Sequence, residues 1–238
     1  MIEVSELTVR FGGVTSLDHM DVAFEAGTCG LIGPNGAGKT TFFNVLSGFV
    51  RPAGGHVTAF GENLLAMAHF RRARWGVRRT FQTEQAIESL SVFENVAMIH
   101  EHSRLGRASR AHDVLGALEI VGITSDPSTP VATLSAGERR LVEVARAIVG
   151  RPKVVLLDEP AAGLPDEETI HLGGIIRSIP EHTDAQVILV DHDMSLVSSC
   201  CERTAVLDFG RLIASGPTAE VLREERVIRA YLGDEAAE

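Results

Sequence analysis

The chain is short of several residue types, and each shortage narrows what it can be. Of its 22 cationic side chains only Lys39 and Lys153 are lysines, and its 238 residues include one Trp, one Tyr and three Cys. Acidic residues number 32, so the formal net charge is −10 and the pI is near 5.4. A chain this poor in positive charge does not hold nucleic acid through a broad phosphate-facing surface, where affinity comes from many Lys and Arg contacts. Three cysteines, two of them adjacent (Cys200 and Cys201), build no disulfide framework and predict a reducing compartment. No apolar run approaches the ~18–20 residues that span a bilayer. The opening MIEVSELTVR has neither the basic nor the apolar region of a secretory signal. What is present is ordinary for a folded domain: 45% apolar and 23% charged residues, with length enough to bury a core unaided.

Periodicity organises the chain. Residues 2–11 and 20–24 alternate apolar and polar, as half-buried strands do. A short strand at 28–32 runs into a glycine-rich loop and a helix, KTTFFNVLSG. A strand follows at 57–60, then a helix through 66–74 and a strand at 77–81. From about 84 to 150 the periods are helical, and Ser91/Glu94 and Ser135/Glu138 each write a capping box ahead of a helix. Strand and helix then alternate: VVLL (154–157), a helix from Asp166, VILV (187–190), a helix from Asp193, a strand at 204–207 and two short helices. Four-residue apolar runs buried on both faces predict a mainly parallel sheet. The expected architecture is α/β. Its core is 1–83 and 151–238, with an antiparallel N-terminal β part, and a helical lobe is inserted at about 84–150.

Chemistry concentrates after the strands. Gly33-Pro34-Asn35-Gly36-Ala37-Gly38-Lys39-Thr40 fits G-x-x-x-x-G-K-[ST], placed after a strand and opening a helix. Glycines there let backbone N–H groups wrap anionic oxygens, and the helix N-terminus adds partial positive charge. Lys39 would reach the β- and γ-phosphates as a point charge, and Thr40 would ligate Mg²⁺. Asp158 and Glu159 end the VVLL strand, beside the loop that follows the neighbouring strand. Asp158 could hold the Mg²⁺ hydration shell, while Glu159 polarises a water for in-line attack. His192 follows VILV at the same edge, within reach of a γ-phosphate or the attacking water.

Leu134-Ser135-Ala136-Gly137-Glu138-Arg139-Arg140, about twenty residues ahead of Asp158, resembles the LSGGQ signature of ABC ATPases. The motif order agrees: Gln82 in RTFQ is similar to the Q-loop, 158–160 to the Walker B end, 161–166 to the D-loop and His192 to the switch histidine. The resemblance runs from about residue 2 to residue 233 and implies a P-loop core binding ATP and Mg²⁺. ATP would be held by Gly33, Pro34, Asn35, Gly36, Ala37, Gly38, Lys39, Thr40 and Thr41, with Phe11 stacking on the adenine. Thr40, Gln82 and Asp158 would surround the metal, and Glu159, His192 and Gln82 would serve catalysis. A second cassette, identical or different, would sit head to tail and lend Ser135 and Gly137 in trans. Ala136 and Glu138 depart from the family pattern, and an acidic side chain at 138 favours capping over contact with ATP.

Finer details resemble the ATP-binding subunits of branched-chain amino acid importers: FGG at 11–13, GPNGAGKTT at 33–41, RTFQ at 79–82, DEPAAGL at 158–164, DHDM at 191–194 and VIRAYLG at 227–233. That likeness implies a separate transmembrane permease, a substrate-binding protein met indirectly, no nucleic acid, and a cytoplasmic place on the inner face of the membrane. The ATPase of lipopolysaccharide export, a soluble non-transport ABC protein and a nucleotide-gated scaffold stay open as alternatives. Arg71, Arg72, Arg74, Arg78 and Arg79 read first as a solvated helix face, with contact to lipid or to permease acid groups as the alternative, and Trp75 and Tyr231 read as packing residues. Lys153 has no role legible in the sequence.

Overall fold

Period-two alternation makes the first part of the chain an antiparallel sheet. In a computed structural model, β1 (Ile2–Phe11) and β2 (Val14–Phe24) pair from Ile2↔Phe24 to Phe11↔Val14. Strand β4 (Gly54–Ala59) lies on the other edge of β1, and β5 (Glu62–Asn63) lies beyond it. The structure describes residues 1–103 and 106–232; Arg104 and Leu105 of the expected lobe, and Gly233 of VIRAYLG, lie outside the described residues.

The second sheet has six strands. They are β3 (Thr28–Ile32), β6 (Val77–Arg79), β7 (Val154–Asp158), β8 (Gln186–Val190), β9 (Arg203–Asp208) and β10 (Arg211–Pro217), in the order β10-β9-β3-β8-β7-β6. All pairs are parallel except β9–β10. The strand β10 has no sequence-based counterpart. RLIASGP carries a Gly and a Pro that blur its alternation, and it is an edge strand, where both are tolerated.

Both faces of this sheet are buried, as its apolar runs demanded. Val154, Leu156, Ile188 and Val190 turn to one side and meet Phe42, Phe43, Val45 and Leu46 of α1 (Lys39–Ser47), which shares that core with the antiparallel sheet. Val155, Leu157, Val187 and Leu189 turn to the other. They pack with α3 (Val92–His100), α4 (Arg110–Ile120), α5 (Ala136–Ile148), α6 (Asp166–Thr183) and α7 (Met194–Cys200). Helix α2 (His69–Trp75) precedes β6, while α8 (Thr218–Val221) and α9 (Glu225–Leu232) close the chain. Between β6 and β7 the described residues form helices α3 to α5 and no named strand. Both capping boxes are in place, with Ser91 and Ser135 accepting from the backbone N–H of Glu94 and Glu138.

The arginine cluster is not a solvated face. Arg71 and Arg74 are exposed, but Arg72 and Arg78 are buried and Arg79 is turned inward. Arg72 sits in α2, whose inner face abuts the end of α1. It donates to the Val45 and Leu46 carbonyls of that helix's last turn and to Met67 O at 3.0 Å. A cation there satisfies orphan helix carbonyls and complements the negative end of the dipole. Arg78 donates to Ala73 O. Lys153 also gains a place: its ammonium lies 4.6 Å from the centroid of the Trp75 ring, a cation–π contact.

Arg72→Ala strands several buried carbonyls and should cost about 2–3 kcal/mol in denaturant unfolding. Arg71→Ala and Arg74→Ala should stay within about 0.5 kcal/mol of the parent. Equal effects at all three positions would contradict the burial difference.

Candidate nucleotide site

Parallel register decides which side chains meet. Gly30 pairs with Leu189, Asp158 with Val190 and Arg79 with Leu156, so β3, β8, β7 and β6 end at one level. Gly33, His192, Asp158 with Glu159, and Gln82 therefore leave the sheet along one rim. One correction follows from the order of strands. The Asp158 strand is not hydrogen-bonded to the P-loop strand, because β8, which carries His192, runs between them. Crossovers set the order of parallel strands, and local sequence does not record it.

The 33–40 loop has the shape that phosphate binding needs. Gly33 (φ +150°) and Gly38 (φ +106°) adopt backbone angles that L side chains rarely take. A Cβ on Gly33 would overlap the Leu207 carbonyl, and one on Gly38 would lie 2.7 Å from Ser16 O. Gly38 caps α1 without any side chain, so the first amides of that helix stay free. The buried Lys39 ammonium donates to Gly33 O at 2.6 Å and Pro34 O at 3.0 Å, inside the curl of the loop. Its burial lowers its pKa, opposed by the nearby Glu159 and Asp158 carboxylates. Thr40 is exposed, as are Asn35 and Gly36. Thr41 faces back and shares a 2.7 Å hydrogen bond with the Ser16 hydroxyl, which ties α1 to β2.

Asp158 is buried at 1% exposure, with its amide donating to Thr80 Oγ1 at 3.0 Å. Its Oδ2 accepts from Arg79 at 2.7 Å, while Oδ1 has no hydrogen-bond partner. Burial raises its pKa, and the Arg79 guanidinium opposes that. Glu159 sits in the left-handed region (φ +48°), a costly turn for a side-chain-bearing residue. Its amide donates to Val190 O at 2.7 Å, which fixes the bend out of β7. In the next loop the buried Asp191 accepts from the amides of His192 (2.8 Å) and Asp193 (3.0 Å). Burial raises the pKa of Asp191 as well. His192 itself is open, with a side chain 66% exposed. Gln82 is exposed in the loop after β6.

The other expected residues stand apart from this rim. Ser135 caps α5, and Glu138 Oε2 accepts from the Ser135 amide and hydroxyl, both at 3.0 Å. Glu138 Oε1 accepts from Ser125 at 2.6 Å, so the acidic replacement at 138 is a capping group. Ser135 and Gly137 line a hollow of about 160 Å³ with Leu164, Glu168 and His171, none of it from the 33–41 loop. Phe11 ends β1 half exposed, outside the core. Sequence reading missed Arg79 as the partner of Asp158. Tyr231 lies near the Gly33 backbone, and burial pushes its phenol up to about 12.

A glycine-cradled lysine facing two carboxylates and a histidine at the ends of parallel strands defines a P-loop nucleotide hydrolase. Comparison with known proteins narrows the class. A family profile described as ABC transporter matches residues 17–162, more than half of the chain. A second, described as branched-chain amino acid ATP-binding cassette transporter, matches 211–237. The high-affinity branched-chain amino acid transport ATP-binding proteins BraF of Pseudomonas aeruginosa and LivG of Salmonella typhimurium are each 35% identical, with 98% of both chains covered. The ADP conformation of MJ1267, a cassette of an ABC transporter, superposes with a TM-score of 0.85 at 23% identity, covering 98% of this chain and 99% of that one. The chain belongs to the ABC transporter family and is one of its ATPase cassettes. No helix among the described residues is long and apolar enough to cross a membrane.

Glu138 predicts a pH effect. Its pKa is lowered by hydrogen bonds from Ser125 and then Ser135. Its stabilisation is therefore full above the unfolded carboxylate range and is lost as pH falls through the lowered folded value. At neutral pH Glu138→Ala should cost about 1 kcal/mol and Glu138→Gln much less, because Gln keeps the box. Equal losses in chemical denaturation would remove the cap from the account.

Proposed function

We propose that the chain is the ATP-hydrolysing subunit of an importer for branched-chain amino acids or related small solutes. It would drive a separate transmembrane permease from the cytoplasmic side, as one of a head-to-tail pair of cassettes. One observation carries the enzymatic part: Lys39, Asp158, Glu159 and His192 share a single rim of parallel strands. The cargo rests on the profile matched at 211–237 and on the likeness to BraF and LivG. Neither points to the alternative of lipopolysaccharide export.

The donors fit a hydrated divalent cation. Asp158 Oδ1 is a buried oxygen without a partner, and Thr40 and Gln82 offer exposed oxygens from the same rim. Among the described residues no group of three or more His, Cys, Asp or Glu is placed to hold a metal, so Asp158 with Thr40 and Gln82 would make a weak site by itself and the nucleotide's oxygens would complete the shell. When bound, Mg²⁺ neutralises charge on the β- and γ-phosphoryl oxygens. The chain supplies the rest. Amides of the loop and of the α1 N-terminus wrap the phosphates, Lys39 turns its ammonium to the β- and γ-oxygens, and Phe11 stacks on the base. Glu159 accepts a proton from a water whose oxygen bonds to the γ-phosphorus as the bond to the bridging oxygen breaks. His192 donates to the departing phosphate, and Gln82 reports the state of the site to the permease. Ser135 and Gly137 of the second cassette close over the γ-phosphate, where the free amides of α5 favour negative charge.

Lys39→Ala should abolish ATP binding in equilibrium titration; retained affinity would contradict the phosphate role. Glu159→Gln should bind ATP, accumulate as a dimer in size-exclusion chromatography and release phosphate ~10²–10⁴-fold more slowly, the worth of a positioned base. Near-normal turnover would remove Glu159 from the mechanism. Reconstituted with its permease and binding protein, the chain should drive ATP-dependent uptake of leucine, isoleucine or valine. ATP hydrolysis with uptake of none of them would overturn the cargo.

A further inference from the structure

Arg79 is a buried cation on the phosphate rim that the mechanism leaves unused. Its side chain is only 6% exposed. Nη2 donates to Asp158 Oδ2 at 2.7 Å and Nη1 to Asn44 Oδ1 at 2.6 Å. The guanidinium lies over two rings, 5.4 Å from the Phe43 centroid and 5.1 Å from that of Phe81. A charge taken out of water needs a partner, and among the described residues Asp158 is the only carboxylate paired with Arg79. Lys39 does not play that part, because its ammonium is bonded to the Gly33 and Pro34 carbonyls. The fork is thus fixed at one oxygen of the carboxylate whose other oxygen is bare.

We infer that Arg79 is the resident counter-cation of Asp158. It is a positioning residue that holds the carboxylate on the rim and sets how strongly a divalent cation must compete for it. The inference rests on reading Asp158 as the metal-side carboxylate. Two planar contacts keep the fork aligned, which a lysine cannot reproduce at the same site. The arrangement also reaches outward. Arg79 stands three residues before Gln82, and the Phe81 ring on which it stacks lies 6.3 Å from the exposed Phe49. The partner of Asp158 thus stands next to the loop that carries Gln82.

The test is Mn²⁺ binding to the full chain without nucleotide, read from the loss of the free-ion electron paramagnetic resonance signal. Arg79→Gln should bind Mn²⁺ about tenfold or more tightly than the parent, since a charge-assisted hydrogen bond no longer competes. Arg79→Lys should fall between them, and adding Asp158→Asn to Arg79→Gln should erase the gain. Structural damage weakens a metal site, so tighter binding reports the competition itself. Unchanged or weaker Mn²⁺ affinity in folded Arg79→Gln overturns the inference. Should that variant not fold, parental affinity in Arg79→Lys overturns it equally. A parallel titration with ATP present separates the two readings. Asp158→Asn should weaken Mn²⁺ binding to the ATP complex. If it does not, Asp158 is not the metal-side carboxylate and the underlying reading fails, whatever Arg79→Gln shows alone.

Discussion

Parallel pairing of four strand ends is the constraint on which the rest depends. Because β3, β8, β7 and β6 finish at one level, the phosphate loop, His192, the acidic pair and the Gln82 loop emerge side by side. Slippage of any strand by one residue would turn its core side chains to the opposite face, where different helices pack. The alternation of Val154, Leu156, Ile188 and Val190 against Val155, Leu157, Val187 and Leu189 locks that register from both sides. Hydrophobic burial, which knows nothing of nucleotides, thereby fixes the geometry of the chemistry.

The rim is electrostatically unsettled until something charged arrives. Burial pushes the pKa of Asp158 and Asp191 up and that of Lys39 down, each toward its neutral form. A polyphosphate beside Lys39 and a cation beside Asp158 would reverse both trends together. The desolvation cost is met by the packed core, and the ligand's charges relieve it. A net charge of −10 is no obstacle, because the loop amides, the helix end and Lys39 act within a few ångströms, well inside the ~8–10 Å screening length. The shortage of lysine is consistent with this. One lysine is placed where a compact point charge is useful, and the other covers the Trp75 ring.

Much of this was legible in the sequence for identifiable reasons. The loop at 33–40, both capping boxes and the both-face burial of VVLL and VILV depend on neighbours within a few residues, and the sequence records those directly. The role of Glu138 was readable because Ser135 stands three positions before it. What could not be read depends on distant partners. Arg79 meets Asp158 across 79 positions, through the β6–β7 pairing, and its RTFQ context carries no sign of it. Arg72 looked solvated because nothing local shows that α2 abuts the end of α1. The strand order and β10 are likewise settled by tertiary packing.

The central claim is that binding energy lies in the phosphate rim rather than in contacts to the base. Calorimetric titration of the purified chain with ATP, ADP and AMP tests this most directly. The account predicts that ATP and ADP bind, while AMP, which offers no β-phosphate to Lys39 and the loop amides, binds at least ~100-fold more weakly. That is the loss expected from one or two charge-assisted hydrogen bonds. AMP affinity equal to that of ADP would contradict it.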